Sequence, residues 1–280
     1  MKSLVYSLAG LLLCQMVYAQ DDDFWLTLDD EPARSGLLVN AGSDLDGARY
    51  YGVSLSQAVD AAQLYVSGNK QRYAVTTSDW SVGVGSNPFN DFSVRVDVAW
   101  SGKTEVLETR DNIIESTTRY NSWLFLLGYQ YGEAEIFLPR SQLIQRRSFE
   151  VDRTAWHTGL GYSWMLVSMR LEHRQFDYAE NIRIAENITS LRNLIRTFVL
   201  NQAEALADKQ TSVSIDVIKN NIGVDARFSR ITSAIDLKSS DYATVEATYY
   251  FDADYSLAVQ WDKALESDTA TVGVNVGWQW

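Results

Sequence analysis

The final stretch of the chain, TATVGVNVGWQW at residues 269–280, alternates apolar and small polar side chains without a break. A period of two is the pattern of a β-strand whose faces meet two different environments. The apolar face carries Ala270, Val272, Val274, Val276, Trp278 and Trp280. An apolar face that ends in aromatic side chains, opposite an uncharged polar face, is typical of a strand between lipid and a polar interior. The segment therefore predicts a membrane-spanning strand.

The first 19 residues predict an export signal. Lys2 precedes an apolar run, and the segment ends in the sequence VYA at 17–19, as in a secretory signal peptide cleaved before Gln20. The run is shorter than the roughly 20 residues that a bilayer-spanning helix needs. A lipoprotein site at Cys14 is the alternative, but Leu13 is larger than the small residue usual at that position.

The composition argues against several classes of function. Cleavage after Ala19 removes Cys14, the only cysteine, and with it any disulfide, thiol nucleophile or Cys-bound metal. His157 and His173 are the only histidines, too few for a multi-histidine zinc site. The net charge of −12 disfavours nucleic acid, because phosphate contacts need clustered Lys and Arg. We therefore expect no cofactor, no metal and no nucleic-acid partner.

Alternation recurs along most of the chain, while no stretch after residue 19 is apolar enough for a transmembrane helix. Clear strands are predicted at 254–265, 242–251, 221–235, 211–219, 167–178, 153–164, 121–131 and 92–100. Further strands fit at 133–149, 103–118, 71–85, 61–68 and 48–56. The pattern favours an all-β fold, a transmembrane antiparallel up-and-down β-barrel of 12–14 strands. A secreted β-sandwich is the structural alternative.

Loop lengths give the expected orientation. Short turns are predicted at 101–103, 131–133, 164–166, 219–221 and 252–254 and should lie on the periplasmic side, with the longer connections outside. Near Arg230 the alternation shifts phase, which indicates either a bulge or the exit of the strand from the membrane.

Two segments break the alternation. Residues 20–47 are acidic and are expected to form a periplasmic leader, with insertion into the barrel interior as the alternative. Residues 187–208 carry apolar side chains at three- and four-residue spacing, which predicts an amphipathic helix in the longest extracellular loop. A lid folded into the barrel is favoured over contact with the outer leaflet. The predicted organisation is a signal peptide at 1–19, a leader at 20–47 and a barrel at 48–280 with a helical loop insertion at 187–208.

With its export signal, its alternation and its terminal aromatic residues, the chain resembles bacterial outer-membrane β-barrels of the porin-like class over nearly all its mature length. Trp278 and Trp280 resemble the C-terminal signal by which such barrels are recognised for assembly. The resemblance implies a location in the outer membrane of a Gram-negative bacterium. It also implies outer-membrane lipid and the barrel-assembly machinery as partners.

Charged residues within spanning strands are expected to face the inside of the barrel. The inward candidates are Arg95, Asp97, His157, Arg170, Glu172, Arg174, Asp216, Asp225, Arg227, Glu246 and Asp262. They predict either a polar conduit or a set of ion pairs that fills the interior. The favoured function is a non-enzymatic channel or passive transporter for small hydrophilic solutes. The alternative is a non-conducting structural or adhesive barrel that presents its loops.

An outer-membrane lipid-modifying enzyme is a second alternative. Ser163 and Ser168 lie near His157 in sequence, but Ser163 is six residues along the same strand, roughly 20 Å away at about 3.3 Å per residue. No Gly-x-Ser-x-Gly motif is present. His173 with Glu172 and Asp177 offers only a slight similarity to proteases that use paired acids near a histidine.

A block of arginines is predicted near the outer side, where lipopolysaccharide phosphates are natural partners. Its members are Arg140, Arg146, Arg147, Arg153, Arg174, Arg183, Arg192 and Arg196. Solvated ion pairs with Glu150, Asp152 and Asp177 are the alternative role for these arginines.

Overall fold

The structure is a computed structural model. It describes residues 34–44, 49–59, 62–72, 76–87, 91–101, 107–137, 148–180, 182, 204, 206–251, 254–266 and 270–280. Within these residues, no helix is long and apolar enough to cross a bilayer. The predicted signal peptide at 1–19 and most of the predicted helical segment at 187–208 lie outside the described residues.

Fourteen antiparallel strands form a closed barrel in which each strand pairs with its neighbours in sequence and β1 pairs with β14. The strands are β1 Gly36–Asp44, β2 Arg49–Val59, β3 Ala62–Arg72, β4 Thr76–Ser86, β5 Phe92–Ser101, β6 Leu107–Tyr120, β7 Trp123–Phe137, β8 Ser148–Trp164, β9 Val167–Tyr178, β10 Ala207–Lys219, β11 Ile222–Ser233, β12 Ser239–Tyr250, β13 Tyr255–Ala264 and β14 Ala270–Gln279. The predicted barrel is confirmed, at the upper end of the predicted strand number.

The alternation in sequence corresponds to side chains that alternately face the barrel interior and the outer surface. On β14, Val274 is 46% exposed while its neighbour Asn275 is 1% exposed, and β2 and β9 alternate in the same way. Because the closed sheet has no second layer to cover it, the exposed valines and leucines form a lipid-facing band. The outward face is therefore the apolar one, as the terminal strand predicted.

Aromatic pairs mark both rims of this band. Trp80 stacks on Trp100 with ring centroids 4.5 Å apart on the extracellular side, where Tyr129 also meets Trp156 at 4.9 Å. On the periplasmic side, Trp278 lies 5.0 Å from Trp280. Tyr and Trp prefer the interface between lipid and water, so these two levels show where the bilayer ends.

Tight turns lie on the periplasmic side. Asn121, Met165 and Asn220 begin the connections β6–β7, β8–β9 and β10–β11, and all three have positive φ angles of 53° to 57°. Positive φ at the first turn residue matches the twist of a two-residue hairpin, and asparagine adopts it readily. The turns predicted at 164–166 and 219–221 therefore lie at the end of the barrel where β14 ends, as predicted, while the turn predicted at 252–254 lies partly outside the described residues.

Two predicted turns are wrong. Residues 131–133 lie inside β7, because this strand and β8 extend beyond the membrane band instead of ending at its edge. The predicted strand 133–149 accordingly divides into the end of β7 and the start of β8. Ser101 ends β5 at the extracellular rim, since β5 runs outward from Phe92, so the predicted turn at 101–103 lies on the opposite side of the membrane.

Two predicted boundaries also change, and the predicted phase shift near Arg230 is resolved. The barrel begins at Gly36, within the predicted leader 20–47, because β1 is needed to close the sheet against β14. The predicted helix 187–208 ends too late, since Ala207 already belongs to β10. On β11 the inward and outward alternation continues through Arg230, which is exposed, to the buried Ile231. The alternation therefore does not shift at Arg230 itself, and the register shift of this strand pair lies on β10 between Ala207 and Lys209, opposite Ser233 and Thr232.

Candidate functional site

The candidate site is the barrel interior, and small side chains dominate much of its wall. Inward positions on the wall from β13 through β14 to β4 are mainly glycine, serine, alanine, threonine and asparagine. Examples are Ala258, Asn275, Asn40, Gly52, Ser54, Ser67, Ser81 and Gly83. Fourteen strands spaced about 4.8 Å apart and tilted by about 40° enclose a backbone cylinder on the order of 28 Å wide. Short side chains on this wall reach only part of the way toward the axis of such a cylinder.

Several longer side chains lie flat on this wall, each over an inward glycine. Tyr50 crosses Gly42 and Gly273, where an added Cβ would meet its ring carbons and its hydroxyl. Asp97 lies over Gly83 in the same manner. Asp97 Oδ2 forms an ion pair with Arg95 Nε at 2.5 Å. The Arg95 guanidinium also lies 4.3 Å from the centre of the Tyr65 ring. Glycine at these positions keeps the polar groups close to the wall and away from the barrel axis.

His157 is the centre of a charged network on β6, β8 and β9. Its Nδ1 lies 2.7 Å from Glu115 Oε1, and its Nε2 lies 3.7 Å from Glu172 Oε2. Arg174 lies 3.8 Å from Glu115, and Arg170 donates to Glu172 at 3.2 Å. The imidazole therefore links two carboxylates that two arginines also neutralise.

The strand register explains why Glu115 reaches His157 across a whole strand. Glu115 pairs with Gly128 on β7, and Gly128 pairs with His157 on β8. A Cβ on residue 128 would lie 3.0 Å from Glu115 Cγ and 3.2 Å from His157 Cβ. Glycine thus opens the path along which the Glu115 side chain crosses β7.

A row of acids runs across the neighbouring wall. Asp216 pairs in register with Asp225, and Asp225 pairs with Glu246. In the next row Arg227 pairs with Thr244, which in turn faces Asp262. Asp262 accepts hydrogen bonds from Thr244 at 2.8 Å and from Gln260 at 2.8 Å. Carboxylates directly opposite each other repel, so this row concentrates negative potential on one side of the interior.

Apolar side chains, and not charged ones, line part of the extracellular mouth of the barrel. Ala155, Phe176, Ala207, Ile231 and Tyr242 form a buried apolar cluster on inward positions of β8–β12. Beside it, Glu204 accepts a 2.6 Å hydrogen bond from Gln210. Burial raises the pKa of the Glu204 carboxyl, while Arg174 and the bond from Gln210 oppose that change. The end of the β9–β10 connection is thus anchored to the inner wall.

The structure places all eleven predicted interior residues on inward positions of their strands. It also brings in residues that the sequence analysis missed. These are Tyr65, Asp79, Asp111, Glu115, Arg119 and Arg153. Three of them are on β6, where outward positions such as Arg110 and Asn112 are polar as well, so the alternation in sequence is weak.

The structure does not bring together the histidine, serine and acidic residues that were considered as possible catalytic groups. His157 contacts carboxylates and Arg174, whereas Ser163 and Ser168 contact each other at 2.8 Å. His173 is exposed on the outward face and contacts Thr211 at 2.9 Å, while Glu172 faces inward. Neighbouring residues on a strand point to opposite faces, so Glu172 and His173 do not lie together and the slight similarity to a histidine beside paired acids has no counterpart in the structure. Among the described residues, no group of three or more His, Cys, Asp or Glu is placed to hold a metal ion.

The closed fourteen-stranded sheet, its apolar outer band and its two aromatic rims define a bacterial outer-membrane β-barrel. No family model matches the chain, and no curated protein sequence matches it. Solved structures with similar folds include the CymD monoaromatic hydrocarbon channel, with 8% sequence identity, coverage of 91% of this chain and 89% of that chain, and a TM-score of 0.51.

Two further barrels are similar at lower TM-scores. The Acinetobacter baumannii outer membrane protein Omp33 has 14% identity, a TM-score of 0.48, and coverage of 88% of this chain and 99% of that chain. The KdgM porin has 8% identity, a TM-score of 0.46, and coverage of 87% of this chain and 98% of that chain. The predicted porin-like class and the outer-membrane location are confirmed by the fold.

Proposed function

We propose that this barrel is a channel for the passive diffusion of small hydrophilic solutes. One observation carries the proposal: the wall from β13 to β4 presents small polar side chains to the interior of a fourteen-stranded barrel. An eight-stranded barrel is just wide enough for side chains to fill it, and width grows with strand number. The interior is therefore too wide for Gly, Ser, Thr and Asn to fill from this wall.

The test is single-channel recording in planar bilayers with two adjacent substitutions. Ser54 faces the interior on β2, whereas Leu55 faces lipid and is 42% exposed. Ser54→Tyr is expected to lower the unit conductance, and Leu55→Tyr is expected to leave it unchanged. Heat-modifiable migration on a denaturing gel shows that each variant is folded. Folded wild-type protein without conductance would contradict the channel and favour a structural or adhesive barrel. Equal, non-zero conductance in all three proteins would contradict the role of this wall as the lining of the conducting path.

We also propose that the barrel is not a hydrolase. The observation in support is that His157 is held by Glu115 and Glu172 and contacts no described serine. A lipid-hydrolysis assay compares wild-type protein with His157→Ala. No turnover in either protein is expected, and turnover that is lost in the variant would contradict the proposal.

A further inference from the structure

The outward surface of the barrel divides into a basic side and an acidic side above the extracellular aromatic rim. On the described parts of β13, β14 and β1–β5, outward positions include Arg49, Lys70 and Lys263 and no acidic residue. On β6–β9 the outward positions at the same end are mainly acidic. They include Glu108, Glu133, Glu135, Glu150, Asp152 and Asp177. An anion in the outer leaflet is thus attracted more to the surface of β13–β5 than to the surface of β6–β9.

Arg49 and Lys70 are neighbours on the basic side. Arg49 is two residues from Tyr51, and Tyr51 pairs in register with Lys70 on β3. The two cations are therefore diagonal neighbours on one face, with Cα atoms roughly 7–8 Å apart. Across the strand pair, Arg72 occupies the register position opposite Arg49. No described acidic side chain forms an ion pair with Arg49 or Lys70.

An apolar notch lies directly below these cations. Gly68 is the next outward position on β3 toward the membrane, between Val53 on β2 and Trp80 on β4. A Cβ added at Gly68 would meet only Trp80 Cβ, at 3.9 Å. Val53 and Trp80 are 48% and 52% exposed to lipid. The glycine thus leaves a gap in the lipid-facing wall, bounded by an aliphatic and an aromatic side chain.

We propose that the surface formed by Arg49, Lys70 and the Gly68 notch, here the β2–β3 surface, binds lipopolysaccharide. Its phosphates match two cations at headgroup level, and an acyl chain matches the notch below them. Of the arginine block predicted from the sequence, Arg153 and Arg174 face the interior and pair with Asp111 and Glu115, so these two do not reach the outer leaflet. The other arginines of that block lie outside the described residues. The proposal is independent of conductance.

The main test measures how much lipopolysaccharide stays bound to protein that was refolded in detergent without lipid. The probes are purified lipopolysaccharide and the same material after dephosphorylation. The test variant is Arg49→Gln with Lys70→Gln. The matched control is Arg110→Gln with Lys209→Gln, which removes two exposed outward charges on β6 and β10. Heat-modifiable migration confirms that both variants fold.

We expect the test variant to bind intact lipopolysaccharide at least about tenfold more weakly than wild type and the control to bind normally. Dephosphorylated material should bind to wild type as weakly as intact material binds to the test variant, and added salt should weaken only the intact interaction. Equal binding by both variants, or equal binding of both probes to wild type, would overturn the proposal.

A third variant tests the notch and does not depend on the charge variants. Gly68→Leu fills the gap without changing charge, and it is expected to weaken binding of intact lipopolysaccharide. Binding of the deacylated, still phosphorylated headgroup should be unchanged. If Gly68→Leu binds intact lipopolysaccharide as wild type does, the acyl-chain part of the proposal is wrong.

Discussion

Arg153 and Asp111 form a bidentate ion pair inside the barrel. Arg153 Nε donates to Asp111 Oδ1 at 3.0 Å, and Nη2 donates to Asp111 Oδ2 at 2.5 Å. The arginine is 3% exposed, and the Phe176 ring lies 5.7 Å from its guanidinium. Gly132 on β7 lies in register between Asp111 on β6 and Arg153 on β8, and because it has no side chain it leaves room for the Asp111 carboxylate. The pair thus joins β6 to β8 across β7, as Glu115 and His157 do two inward rows nearer the periplasm.

Arg153→Ala is expected to destabilise the barrel by about 3–5 kcal/mol, because it leaves the buried Asp111 carboxylate without its partner. Denaturant midpoints in detergent measure the change. Arg230→Ala is the matched control, since Arg230 forms a similar bidentate pair with Asp241 but is largely exposed, and little effect is expected there. Arg153→Met with Asp111→Leu should recover stability. A double variant as unstable as the single one would contradict the charge argument.

Gly128→Ala is expected to cost about 1–3 kcal/mol by crowding Glu115 and His157. Gly68→Ala is its control, because a Cβ at Gly68 meets only Trp80 Cβ at 3.9 Å and should change stability by less than about 0.5 kcal/mol. The temperature at which the heat-modifiable band shifts ranks the two variants. A Gly128→Ala protein as stable as Gly68→Ala would show that Glu115 does not need this path.

Gly273→Ala is expected to lower single-channel conductance. An added Cβ would overlap the Tyr50 hydroxyl, so the ring has to leave the wall and move toward the axis. Tyr50→Ala in the same protein should restore conductance, because the displaced ring is then gone. If Gly273→Ala conducts as wild type does, Tyr50 lies outside the conducting path.

The interior is expected to prefer cations. Acids outnumber bases on the inward positions of the described strands. The acids are Asp79, Asp97, Asp111, Glu115, Glu172, Asp216, Asp225, Glu246 and Asp262, and the bases are Arg95, Arg119, Arg153, Arg170, Arg174 and Arg227. Glu246→Gln with Asp216→Asn should move the reversal potential in a salt gradient toward anions, and Arg227→Gln should move it toward cations. The shifts should shrink at high salt. Shifts of one sign for both variants would contradict a field set by these residues.

Most of the fold was predictable where lipid and interior impose opposite demands on adjacent residues. The alternation on β5, β8, β9 and β14 determined which side chains face inward, including His157 and Arg170. It failed on β6, because Arg110, Asn112, Ser116 and Thr118 place polar groups on the outward face as well. It also failed on β1, where the short apolar stretch after an acidic segment did not indicate a strand. That strand forms because β14 otherwise has an unpaired edge.

The sequence by itself determined the environment of this protein. A strand that alternates strictly and ends at Trp278 and Trp280 is stable between lipid on one face and a polar interior on the other. Only the tertiary structure decided which charges meet. Glu115 and His157, or Asp111 and Arg153, are 42 residues apart, and strand register with an intervening glycine brings them together. Register depends on how fourteen strands close around one axis, which no local pattern of residues specifies.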